Sequence, residues 1–463
     1  MADIEALRDA ASQIGQTLKE ASRSKSDILM MASPEADGIA SAAILCKTVF
    51  SMGGIFTARF SRYMADRDFE KLSTQGHDLL VFMEVADGRE EELSRLFKGK
   101  AVFMGHHQPA EKAERSLNSW SFGFDGSKEV SGSGLAYLVS QSVLPNPNSA
   151  AWLAVLGALG DRQDTGAKRS LIGLNEMFVQ DAVGASQLEF QEDLLLFGRE
   201  VKPLHESVAL TSDPYIQGLT GNRDISLSTF SSSGIDLKRS SRWRVSSDLT
   251  NEERDKLLVM LTSYIEVSGD SVSSLLGNTY LLRREDEHSY LRDGRDFAAL
   301  LDATGRLGRP SLGLAVCLGD RGKALSESEK LLTEYKSAIL RAVNILLSGD
   351  DRMVPADQFV LCVADGVVSE GMAGAVSRSI SVIPRIREKV VVLRALTAQG
   401  EVKFSARRGS MCAAQADLGS IFSKVAAGLG GGGGGNQAMA GARVPAAKSA
   451  EFFERVRKEA KGP

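Results

Sequence analysis

Ile28-Leu29-Met30-Met31-Ala32-Ser33-Pro34-Glu35-Ala36-Asp37-Gly38 decides the fold. Five apolar residues in a row, without alternation, read as a strand buried on both faces. Ser, Pro and two acids then break the run, and a helix follows from near Ile39 to the Gly53-Gly54 pair. Residues 55–60, 79–83 and 101–104 read as further short apolar strands, with polar helices between them. Helices follow at 132–143 and 148–159, the second ending in Gly157-Ala158-Leu159-Gly160-Asp161. Continuous apolar strands alternating with helices predict a mostly parallel sheet covered on both faces, so residues 1–200 form one α/β domain.

The pattern changes at residue 201. Residues 201–285 mix polar loops, one helix over 251–265 and the basic cluster Lys238-Arg239-Ser240-Ser241-Arg242-Trp243-Arg244, and they read as an inserted middle domain. From 286 to 463 the alternation returns, with strands at 312–318, 359–363, 390–396 and 402–406 and a helix near 417–427. This part reads as a second, smaller α/β domain. It contains six consecutive glycines, Gly430 to Gly435. Such a run suits a flexible linker. Here it continues into the apolar Ala438-Met439-Ala440-Gly441-Ala442, as a buried motif would.

Three domains suit a chain of 463 residues. With 43% hydrophobic and 25% charged residues, disorder and a small stapled scaffold are excluded. Fifty-five basic and 59 acidic residues leave a net charge of -4, so nucleic acid would be met by a local patch rather than a global field. Cys46, Cys317, Cys362 and Cys412 are far apart and read as reduced thiols. Ile4, Leu7, Ala11, Ile14 and Leu18 give the amino terminus the spacing of an amphipathic helix, not a signal peptide. No run approaches the ~18 apolar residues that span a bilayer. The expected location is cytoplasmic, with no membrane association.

Four polar clusters follow core elements: Glu35 with Asp37; Glu84 with Asp87; Gly105-His106-His107; and Asp161 with Asp164. The carboxyl ends of parallel strands open onto one crevice, where these loops should converge. If residues 35–37 stay extended, Glu35 and Asp37 point to one side. Carboxylates with imidazoles suit Mn²⁺ or Mg²⁺, and a pair of such ions would activate water against a phosphoester. Each acid taken singly also suits a helix N-cap.

These motifs resemble those of the DHH phosphoesterases. Glu35-Ala36-Asp37-Gly38 resembles the first motif, usually Asp-x-Asp-Gly. Glu84 and Asp161 resemble the second- and fourth-motif aspartates, and Gly105-His106-His107 takes the place of the Asp-His-His triplet. Phe124-Asp125-Gly126, Val130-Ser131-Gly132-Ser133-Gly134 and Asp213-Pro214-Tyr215-Ile216-Gln217-Gly218-Leu219 are similar to the archaeal RecJ-like branch. Leu301-Asp302-Ala303-Thr304-Gly305-Arg306 and Gly434-Gly435-Asn436-Gln437-Ala438-Met439-Ala440-Gly441 resemble the DHH-associated domain. The resemblance implies a mostly parallel-sheet DHH domain, a smaller α/β DHH-associated domain and an inserted middle domain. It also implies metal ligands at Glu35, Asp37, Glu84, His106 and Asp161, and catalytic roles for His106 and His107. Arg306, Arg407, Arg408, Gly434, Gly435 and Asn436 would bind nucleic acid, although single arginines also suit a solvated surface.

The departures from the pattern predict weak or absent hydrolysis. Glu35 and Glu84 replace aspartates and move each carboxylate by ~1 Å, where a working site tolerates ~0.5 Å. Gly105 lacks the triplet's carboxylate. Asn436 stands where a histidine normally contacts phosphate, and it cannot become cationic. Archaeal RecJ-like proteins associate with the GINS complex at the MCM helicase, and a eukaryotic relative there has lost its nuclease activity. The resemblance thus implies a replication scaffold binding GINS, and through it MCM, together with single-stranded DNA or RNA. The alternatives are an active Mn²⁺-dependent single-strand exonuclease and a phosphodiesterase for small nucleotides.

Overall fold

A computed structural model of the chain describes residues 2–62, 64–86, 88–108, 115–231, 233–266, 272–349 and 351–461. The chain divides into two compact units, Met1–Val201 with Leu276–Leu332, and Lys202–Leu275 with Thr333–Pro463.

In the first unit the apolar runs become strands β1 (Asp27–Ala32), β2 (Ile55–Phe60), β3 (Leu79–Met83), β4 (Ala101–Gly105) and β5 (Ser116–Asn118). They form one sheet in the order β2-β1-β3-β4-β5. Every neighbouring pair is parallel. All five residues of β3 and of β4 are buried, which accounts for their unbroken apolar sequence. The helices of this unit include α1 (Ile4–Arg23), α2 (Ala36–Ser51), α3 (Asp66–Ser73), α4 (Glu90–Leu96), α5 (Gly132–Gln141), α6 (Ala151–Gly160) and α7 (Leu174–Gly184). Asp3 caps α1 by accepting from Ala6 N–H at 3.0 Å, and Leu7, Ala11, Ile14 and Leu18 form its buried stripe. Gly15 on that helix lies against Ser142 and Val143, just past the end of α5.

One expectation needs correction, and one pair of strands is not anticipated. Residues 312–318 are not a strand but part of a helix, Pro310–Leu318. Proline at its first turn and Gly319 at φ +116° just past its end are the start and stop of a helix. The antiparallel pair Leu188–Leu194 with Leu276–Leu282 is absent from the sequence reading. Both of its strands belong to the first unit, so the chain returns to that unit after residue 275.

In the second unit six strands run in the order Met353–Ala356, Phe359–Val363, Val390–Leu396, Glu401–Arg408, Met439–Pro445, Gly432–Gly435. Only Phe359–Val363 and Val390–Leu396 pair in parallel. Phe404 of the sheet stacks on Phe452 at 4.6 Å, and Phe422 meets Phe452 edge-on at 5.2 Å. The glycine run is an edge strand, not a linker. A Cβ at Gly433 would press on the Phe422 carbonyl of the helix Leu418–Ala427, so only a bare backbone passes there.

Residues 202–275 also lie in this second unit. The Asp213–Leu219 segment is a loop closed by Thr220, whose Oγ1 accepts from Ile216 N–H (2.9 Å) and donates to the Thr211 carbonyl (2.7 Å). Arg244 is buried and grips Glu253 with two bonds of 2.6 Å. Glu253 also accepts from Thr250 N–H at 2.9 Å, at the start of the helix Asn251–Glu266. The Arg244 guanidinium leads in holding the Glu253 carboxyl down, from the ordinary 4.5 to about 2. A depressed carboxyl stabilises the fold above its unfolded value and loses that contribution as pH falls from 4.5 through about 2. Glu253→Gln is therefore expected to cost about 2 kcal/mol at neutral pH. The difference from wild type should vanish in urea melts run at progressively lower pH.

No helix among the described residues is long and apolar enough to cross a membrane. All four cysteines are free thiols, three of them buried.

Candidate metal centre

β1 passes through Ser33-Pro34-Glu35 directly into α2, which puts Asp37 in the first helical turn. Glu84 follows β3, His106 follows β4, and Asp161 is the residue that ends α6. The four side chains meet. His106 Nδ1 lies 3.4 Å from Asp37 Oδ2 and 3.9 Å from Glu84 Oε1, and its Nε2 lies 3.1 Å from Asp161 Oδ2. Ligand atoms of Asp37, His106 and Asp161 all fall within 4.8 Å of one another.

The amino end of α5 closes the pocket. Gly132 N–H donates to Asp37 Oδ2 at 2.7 Å and Ser133 N–H to Asp37 Oδ1 at 2.9 Å. These donors have no partner within the helix, and the positive end of the helix dipole faces the carboxylate. Gly132 N–H also lies 2.9 Å from His106 Nδ1, so one backbone donor faces both the carboxylate and the imidazole. Burial alone would raise the Asp37 carboxyl; bonds with His106 and Glu84 and the nearby imidazole outweigh it and hold Asp37 well below the usual range. Burial, followed by the adjacent Asp37 carboxylate, pushes Asp161 well above it.

The backbone is shaped for this contact. Glu84 sits at φ +59°, a left-handed conformation uncommon for a residue with a side chain, and its Oε2 accepts from Ser33 Oγ at 3.2 Å. A side chain at Gly132 would overlap the Glu84 carboxylate, and one at Gly157 would overlap Asp37. The carbonyls of the two histidines are pinned as well, His106 by Trp120 Nε1 and His107 by Asn118 Nδ2, each at 2.9 Å.

Residues 35–37 do not stay extended: Glu35 is the cap residue and Asp37 is already helical. The helix begins at Ala36, three residues earlier than the apolar spacing indicates, because Asp302 Oδ1 caps Ala36 N–H at 3.0 Å. Glu35 is 41% exposed, and its Oε1 lies 3.2 Å from Arg306 Nη2. His107 is exposed, with its ring edge-on to His106 at 4.4 Å. Asp164 is committed to Arg169 and Arg295, at 2.9 and 2.8 Å. Asp87 lies outside the described residues.

The remaining predicted residues divide between the units. Arg306 belongs to the first, and Arg407, Arg408, Gly434, Gly435 and Asn436 to the second. Arg408 donates to the carbonyls of Ala416 (2.5 Å) and Gln437 (2.7 Å), and Arg407 to that of Ala406 (2.8 Å). Asn436 Oδ1 accepts from Ala438 and Met439 N–H, both at 3.0 Å, and so builds the turn between two strands. Asn436→Ala is expected to cost about 1 kcal/mol, read as a lower midpoint in thermal melts. Trp243 is 36% exposed, with Lys238 Nζ 4.3 Å from its ring centroid. Asp302, Gly132 and Ser133 shape the pocket too, although the sequence reading does not single them out as site residues. Their signal is the family-like character of the segments around them.

Residues 196–275 match the DHH-CID domain family and residues 357–462 the DHHA1 domain family. A protein of Methanocaldococcus jannaschii is 26% identical over 432 residues, covering 91% of this chain and 90% of its own. Among solved structures, CDC45 from Entamoeba histolytica superposes with a TM-score of 0.65 at 14% identity, covering 98% of this chain and 99% of that one. RecJ from Thermus thermophilus in complex with Mn²⁺ gives 0.59 at 18% identity, with 98% of this chain spanning 54% of that one. An exonuclease RecJ bound to manganese gives 0.56 at 17% identity, over 100% and 96% of the two chains. The chain thus carries segments matching a DHH-CID domain and a DHHA1 domain, on a fold similar to those of CDC45 and RecJ.

Proposed function

We propose that this chain is a replication factor that binds the GINS complex, and through it the MCM helicase, together with single-stranded DNA, and that it hydrolyses phosphodiesters weakly or not at all. The observation that carries the reading is the state of the pocket. Asp37, His106 and Asp161 converge, while Gly105 brings no carboxylate and Glu35 is paired with Arg306. Asn436, in place of the expected histidine, spends its side-chain oxygen on a turn.

Mn²⁺ or Mg²⁺ fits what remains. The donors are a buried carboxylate held ionised, a second carboxylate and an imidazole, and Asp37, His106 and Asp161 would hold the ion. Such an ion, when bound, polarises a phosphoryl oxygen or the attacking water. The chain's own groups orient and charge the pocket: the α5 amino end fixes Asp37, and the Gly132 N–H also reaches His106 Nδ1.

A protein partner is supported by the CDC45-like fold and by apolar side chains exposed in the DHH-CID segment. Ile225 is 50%, Leu227 37% and Val259 74% exposed, and each offers apolar surface that a partner could cover. The pocket also keeps the second reading in play, an active Mn²⁺-dependent exonuclease, because Asp37 is held in the ionised form a ligand needs. Gel filtration of the chain mixed with GINS tests the first reading. A complex that survives Asp37→Ala and His106→Ala is the expected result, and no complex with wild type contradicts it.

A further inference from the structure

We infer that the Arg306 guanidinium, between Glu35 and Asp302, takes the place of a second divalent cation, so that the pocket accepts one metal ion rather than two. The inference rests on the reading that Asp37, His106 and Asp161 hold a divalent ion.

It begins from charge. Glu84 and Asp37 lie on one side of His106 and Asp161 on the other, and the carboxylates of Glu35 and Asp302 both act on Asp161 as nearby negative charges. Five carboxylates gathered at least partly out of water require positive charge close by. One ion among Asp37, His106 and Asp161 answers only part of that demand. Arg306 supplies more: its Nη2 lies 3.2 Å from Glu35 Oε1 and its Nε 3.6 Å from Asp302 Oδ2.

The guanidinium is placed by the fold rather than by a loose side chain. Arg306 ends the helix Gly294–Arg306, and the residue before it, Gly305, lies so close to Pro34 that a Cβ would overlap the Pro34 carbonyl. Asp302, one turn earlier, caps Ala36 N–H at the start of α2. The helix is therefore docked onto the very loop that carries Glu35, and the Arg306 side chain is only 19% exposed. An arginine is charged at every accessible pH and offers a planar fork to carboxylates. It balances charge as an ion does, but it carries no water to activate, which is consistent with a pocket kept for its shape more than for turnover.

Counting Mn²⁺ ions bound by the full-length chain, from the electron paramagnetic resonance signal of free Mn²⁺ in a titration, tests this directly. Wild type should bind one ion. Arg306→Met should bind two, because Glu35 and Asp302 then lack their cation. Arg306→Gln, which keeps hydrogen-bond donors for the loop and so guards against misfolding, should also bind two. Returning Arg306→Met to one ion by adding Glu35→Gln completes the expected pattern. Two ions in wild type, or one ion in both Arg306 variants, would overturn the inference alone. No ion in any of these proteins would overturn it together with the metal reading on which it rests.

Discussion

Gly132→Ala is expected to destabilise the protein by about 3 kcal/mol and to weaken Mn²⁺ binding by roughly tenfold or more. The new methyl group would overlap the Glu84 carboxylate and stand 3.0 Å from Asp37 Oδ2. Neither neighbour yields easily. Glu84 is set on a left-handed backbone between β3 and its loop, and its other oxygen accepts from Ser33. If α5 retreats instead, Asp37 loses the N–H groups of Gly132 and Ser133 while staying wholly buried. Bonds from backbone to a charged group contribute about 1.5–3 kcal/mol each. Gly184→Ala is the control: nothing lies within 4 Å of that position, and it closes α7, so a small gain from helix propensity is expected. Urea melts of the two variants make the comparison. Equal midpoints would show that the pocket is loose.

Arg199→Ala should cost about 3–5 kcal/mol, the usual loss when one partner of a buried ion pair is removed. Arg199 is 2% exposed and lies 2.5 Å from Asp193, with Nη1 3.9 Å from both Glu200 and Asp293. All three acids are buried. Removing the guanidinium leaves three carboxylates with a lost cation where water does not reach, while Arg199→Lys keeps the charge and should recover part of the stability. The loss should reach the whole first unit. Asp193 lies in a strand of its antiparallel pair, and Asp293 caps the Gly294–Arg306 helix through Arg295 N–H at 2.8 Å. A cost below 1 kcal/mol would mean that the acids find another counter-charge.

The parallel sheet is legible because strands buried on both faces cannot alternate, and 79–83 and 101–104 show no polar residue. Residues 312–318 have the same apolar density and mislead. There the information lies in the flanks, Pro310 and Gly319, rather than in the run itself. Asp37, Glu84, His106 and Asp161 can be gathered from sequence, since each follows an element whose end faces one crevice. Glu35 cannot be placed that way. Its orientation depends on where α2 starts, and the cap that sets the start comes from Asp302, 266 residues away. Arg408 and Asn436 are open to misreading for a related reason: whether a polar side chain faces solvent or a neighbouring backbone depends on turns that local pattern does not encode. The Arg199 cluster is scattered over a hundred residues and leaves no local signal at all.

Incubating the chain with labelled single-stranded DNA and RNA in Mn²⁺, beside an Asp37→Ala, His106→Ala variant, tests most directly whether this pocket has given up catalysis. Oligonucleotides that stay intact while remaining bound in a mobility-shift assay are the expected result. Turnover that is present in wild type and abolished in the variant would contradict it, and would show that one carboxylate–imidazole cluster without the Gly105 carboxylate suffices for hydrolysis.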